Sequence, residues 1–154
     1  MIGLTLYAVT KFIHVFAAIV AVGVNTSYGV WLARARREPE HELHVLRGIK
    51  ILDDRYANPA YVVLLITGVT NVFIGHWGFT TFWIITALIL YGVLVVLGLF
   101  TYTPTLRRQI EVFQSEGPDS ATYKALSNRG RVVGIALAVV VTAIVWLMVT
   151  KPSA

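Results

Sequence analysis

Four stretches of this chain are apolar almost without interruption, at about 7–33, 59–76, 81–102 and 132–150. Each is close to the span of about 20 residues that a helix rising about 1.5 Å per residue needs to cross a hydrocarbon core of about 30 Å. None alternates apolar and polar residues as a lipid-facing strand must. The pattern therefore predicts helices, which satisfy their own backbone inside a membrane. In the first long connection, Leu43, Leu46, Ile49 and Leu52 recur every three residues among charged neighbours. That spacing predicts an amphipathic helix at about 41–54, lying along the membrane surface. Leu106, Ile110 and Phe113 repeat the idea at about 105–114, past Pro104, while Asn58-Pro59 starts or kinks the second apolar helix. The expected fold is all-α: a four-helix transmembrane bundle with short amphipathic helices, forming one domain over 1–154.

Composition agrees, with 56% hydrophobic and 14% charged residues among 154 and a mean hydropathy of +0.71. The first apolar run lacks a basic leader and ends in arginines, so it reads as a mature helix rather than a signal peptide. There is no cysteine, which excludes disulfides, thiolate metal sites and thioether-linked haem. Eleven of the thirteen basic residues lie in the two long connections, and none in the turn GHWGFTT between the second and third runs. The positive-inside rule then expects both connections in the cytoplasm and both termini outside, in the inner (plasma) membrane. Arginines facing anionic lipid account for the basic balance without nucleic acid. Beyond the bilayer itself, a homo-oligomer or a larger membrane complex is left open as partner. Gly68 with Gly75, and Gly92 with Gly98, allow close helix approach but do not form G-x-x-x-G pairs. The segment SEGPDS is the flexible stretch the sequence expects.

The first helix carries the candidate chemistry. Lys11 and His14 lie about 60° apart on a helix, on one face with Tyr7, Ala18, Ala21, Asn25 and Tyr28. An ionisable group inside a membrane segment must face protein, water or a cofactor, or reach the interface. Two readings follow. In one the stripe is a packing seam, Lys11 snorkels and His14 hydrogen-bonds a neighbouring helix. In the other His14 is an axial ligand to the iron of haem b, the alanines admit the macrocycle, and Lys11 pairs with a propionate. Tyr7, Asn25 and Tyr28 complete that candidate cofactor face. Thr142 or Thr150 would hold the second imidazole nitrogen, and His76 is the weaker second ligand. His41 and His44 read as solvated.

Lys11-Phe12-Ile13-His14 resembles the K-F-x-H start of a family of short bacterial predicted integral membrane proteins of unknown function. More distantly the chain is similar to the membrane domain of copper-resistance proteins and to the four-helix protoporphyrinogen oxidase. The oxidase shares K-x-x-H, the closing Val149-Thr150-Lys151-Pro152, and Leu126-Ser127-Asn128 before the last helix; its resemblance implies haem. This chain departs from it at Phe82 to Ala87, which hold no lysine, and at Asn128-Arg129-Gly130-Arg131 in place of N-E-x-P.

Two functions are therefore expected in competition: redox or porphyrin handling with haem b, or a non-catalytic accessory subunit that offers 41–54 and 105–114 to a partner. A transporter is disfavoured, since no apolar helix is visibly broken and none carries a carboxylate. The first and last helices are expected to be adjacent outside, so that Lys11 and Lys151 both reach headgroups. Single cysteines at positions 45 and 78 of this cysteine-free chain test the orientation. Position 78 should react with an impermeant maleimide on intact cells and position 45 should not; the reverse inverts the topology.

Overall fold

The computed structural model describes the backbone of residues 2–152 and the side chains of 5–152. Its described residues form six α-helices: α1 (Ile2–Ala35), α2 (Glu42–Leu52), α3 (Asn58–Ile74), α4 (Phe82–Leu97), α5 (Thr103–Glu116) and α6 (Ala121–Thr150). The amphipathic helices do not lie apart along a surface. α2 runs into α3, and α4 into α5, each through one π turn, at Asp53–Ala57 and Gly98–Tyr102. Both joints have the same cause. Pro59 and Pro104 lack an N–H and crowd the carbonyl four residues back. The preceding amides instead reach five residues back, Asn58 N–H to the Asp53 carbonyl and Thr103 N–H to the Gly98 carbonyl, and the chain bends without breaking.

The result is four long helices, all apolar enough to cross a membrane. Two of them are continuous over 36 and 35 residues (Pro39–Ile74 and Phe82–Glu116). At about 1.5 Å per residue they exceed about 50 Å, well beyond the roughly 30 Å of a hydrocarbon core. The excess gathers at the arginine-rich end, where α2 and α5 pack on each other and on α1 and α6. There Leu46, Ile49, Leu106 and Val112 form the best-buried core with Tyr28, Tyr102 and Tyr123. Leu43 and Leu52 were expected on the same apolar face; they are only half-buried at its edge.

α6 begins at Ala121, a full eleven residues before the expected start at 132, because Ser120 caps it by accepting from Tyr123 N–H at 3.1 Å. Gly117, at φ 83, ends α5 in a conformation open to glycine. At the opposite end, α3 closes in a Schellman turn: Trp77 N–H reaches the Val72 carbonyl at 3.0 Å and His76 N–H the Phe73 carbonyl at 3.2 Å. His76 takes the left-handed position, at φ 55.

In the apolar half the helices pair off, α1 along α3 and α4 along α6, while α1 touches α6 only slightly. The expected pairing of first and last helix at the outer end is thus replaced. Lys151 stands over Trp77 and Trp83, at 5.2 and 5.4 Å from their rings, so the α3–α4 turn receives the end of α6. Leu46, with 0% exposure, is the side chain on which the arginine-rich core closes. Leu46→Ala should cost about 2–5 kcal/mol, read as a lower thermal midpoint in detergent. Ile89→Ala, on a lipid-facing position, should leave the midpoint within a degree or two.

Candidate functional site

The stripe on α1 faces α3. Thr10 Oγ1 lies 2.6 Å from Asn71 Oδ1, and His14 Nδ1 lies 3.0 Å from Thr67 Oγ1. These pairs set an antiparallel register in which Ala21 falls level with Ala60, and Ala17, Ala21, Ala57 and Ala60 are all buried. Small residues let the backbones close in, and the notch expected to admit a macrocycle is filled by the neighbouring helix. Thr67 gives its own proton to the Val63 carbonyl at 2.6 Å, which leaves its oxygen to accept from His14 Nδ1–H. The ring rests on Gly68, where an added Cβ would come within 3.1 Å of His14 Cε1. Thr142 and Thr150, expected as partners, instead bond the Ala138 and Trp146 carbonyls of their own helix.

Further along the stripe the chemistry changes. Asn25 donates to the Tyr61 hydroxyl at 2.5 Å, and the Tyr91 hydroxyl crosses from α4 to the Tyr61 carbonyl at 2.6 Å. Beside them, between the two helix pairs, opens a cavity of about 930 Å³. Its walls come mainly from α1, α3, α4 and α6, with α2, α5 and the two joints closing the arginine-rich end, and are mostly apolar, with polar groups gathered toward that end. Tyr28 is part of that wall, 4% exposed and stacked 6.5 Å from Tyr102, and its hydroxyl has no hydrogen-bond partner among the described residues. A buried hydroxyl left unpaired is costly. Asp53, at the first joint, also lines the cavity; it accepts from Thr103 at 2.9 Å and from Asn58 at 3.4 Å.

Of the sequence-predicted residues, Asn25, Tyr28 and Thr142 reach this cavity. His14 lies on the seam with α3. Lys11 is exposed with its ammonium 5.8 Å from the Tyr7 ring. His76 is exposed at the far turn, nine residues beyond the partner of His14 and so roughly 13 Å along the helix axis. His41 and His44 are exposed. Two features lay outside the sequence reading. Asp53 was counted into a surface helix, but the joint buries it to 5% exposure. Gly130, Gly134, Ala138 and Thr142 form a stripe of small residues at every fourth position that makes room for the cavity. Its Gly130-x-x-x-Gly134 start was the available signal.

A family model described as predicted integral membrane protein (DUF2269) matches residues 8–152. The chain belongs to that family. No curated protein and no solved structure matches it. The family description and the four long apolar helices agree that this is a multi-pass integral membrane protein.

A cavity of this size has room for a porphyrin, but its polar side chains are phenols, hydroxyls, amides, carboxylates and guanidinium groups, with no histidine or methionine. The residues there do not fit a histidine-ligated haem, and among the described residues no three His, Asp or Glu side chains gather as a metal site. The seam itself gives a direct test. Gly68→Val should destabilise the protein by about 1–3 kcal/mol through overpacking against His14. His14→Ala in the same chain should recover part of that loss, and thermal midpoints of the two single and the double variants measure the coupling.

Proposed function

We propose that this protein is a membrane-embedded binding protein that holds an amphipathic small molecule in the cleft between its α1–α3 and α4–α6 pairs. The observation that carries the reading is the cavity, with Tyr28 in its wall and the Tyr28 hydroxyl buried without a hydrogen-bond partner among the described residues. Its volume falls within the range of about 300–1,000 Å³ usual for small-molecule sites, and apolar walls with a few convergent polar groups are what such sites have in common. Apolar side chains such as Leu65, Leu94, Leu99 and Ile135 would take the body of the guest, and Tyr28 would donate to an acceptor on it.

The arginine-rich end faces the cytoplasm on this reading, so the cleft draws on the inner leaflet. His14 acts as a fastener between α1 and α3, its N–H bonded by Thr67 and its ring seated on Gly68. The haem reading makes a different statement about the same residue. A Soret band in protein expressed with added haem, lost in His14→Ala, would restore haem and displace His14 from its packing role; no such band is expected.

Binding is tested on protein washed extensively in dodecyl maltoside and then examined by native mass spectrometry. The wild type should retain one co-purifying amphiphile and Ala138→Phe, which fills the cleft from α6, should lose it. Retention by Ala138→Phe equal to wild type would sink the reading. Tyr28→Phe should weaken retention about tenfold and yet raise the thermal midpoint of the delipidated protein, because it removes a buried donor that has no acceptor.

A further inference from the structure

We infer that the molecule held in the cleft carries an anionic head, a phosphate or carboxylate, bound by Arg36 and Arg131; this rests on the cleft being a ligand site. Arg36 follows directly on α1 and Arg131 lies on α6, so the two guanidinium groups come to one cavity from opposite helix pairs. Both residues are exposed, which puts them at the opening of the cleft rather than in its depth. Neither takes part in an ion pair among the described residues, whereas Arg34, Lys50 and Lys124 each have a carboxylate partner.

The acidic residues of the same wall are engaged already. Glu42 accepts from the Tyr123 hydroxyl at 2.5 Å, Asp53 is bonded by Thr103 and Asn58, and Asp54 pairs with Lys50. What the opening offers a ligand is therefore two guanidinium groups with no ion-pair partner among the described residues, above apolar walls in which Glu42 and Asp53 are held by neutral donors. A guanidinium presents a planar fork of donors that matches a phosphate or carboxylate. An anionic phospholipid of the leaflet and a free long-chain carboxylate share that chemistry.

The experiment places the protein in nanodiscs with equal amounts of phosphatidylglycerol and phosphatidylcholine of identical chains and reads the retained lipid by native mass spectrometry. Wild type should retain phosphatidylglycerol in preference. Arg36→Gln and Arg131→Gln should each reduce that preference about fivefold, while Arg36→Lys and Arg131→Lys keep most of it. Arg107→Gln with Arg108→Gln, off the cavity at the same end, should leave it unchanged and so separate the cleft from general attraction of anionic lipid to a basic surface. Added oleate distinguishes the sources. Displacement of phosphatidylglycerol by oleate in wild type identifies a free carboxylate, and retention in its presence identifies the phospholipid; either supports the anionic head. Equal retention of both lipids by wild type, with Ala138→Phe still losing both, overturns the anionic head and leaves the cleft standing. An equal fall in preference with Arg107→Gln and Arg108→Gln overturns it as well. No retention by wild type removes the cleft reading itself.

Discussion

A proline cannot give an N–H to the helix that precedes it, and this chain meets that constraint twice, at Pro59 and Pro104. At each place the backbone widens by one residue instead of breaking. The two widened turns then sit side by side, joined where Thr103 donates to Asp53. On one side of them α2 and α5 converge with α1 and α6 into a core closed by Leu46 and Ile49. On the other side the helices separate into two pairs. The core and the cleft are thus consequences of the same bends.

Their energetics differ in kind. The arginine-rich core is held by ordinary apolar burial, since it lies beyond the length a hydrocarbon layer can cover. Within the apolar span, lipid solvates side chains as well as protein does, and association must come from close backbone approach and from hydrogen bonds worth about 0.6 kcal/mol each. The α1–α3 seam has both, through its alanines and through Thr10, His14 and Asn25. Where α1 and α6 face each other, neither is supplied and the cleft stays open.

The class of the fold was legible because four long apolar runs admit few other structures in a bilayer. The joints were half legible: Asn58-Pro59 announced a bend, but a proline alone does not say whether a helix starts, stops or continues through a π turn. Continuity depended on α2 and α5 finding each other in space, which no periodicity within one segment reports. The same holds for the site. Helix geometry alone puts Asn25 and Tyr28 on the face of His14, yet which helix meets that face is decided by Gly68 and Thr67, far away in sequence. Asp53 was misplaced for the same reason, because a carboxylate in an amphipathic stretch looks solvated until a second helix covers it. The small residues from Gly130 to Thr142 were readable by spacing, though their effect is to leave space rather than to fill it.

The unpaired Tyr28 hydroxyl has a bearing on discrimination. A pocket with mostly apolar walls tells one hydrocarbon from another poorly, since an added or missing methylene changes affinity by little more than its own transfer energy. A buried donor changes that rule. A guest without an acceptor at the right depth leaves the hydroxyl as stranded as it is in the empty protein and gains nothing from it, while a guest that has one removes a standing penalty. On the proposed reading, the cleft is permissive about chain length and strict about the position of one oxygen.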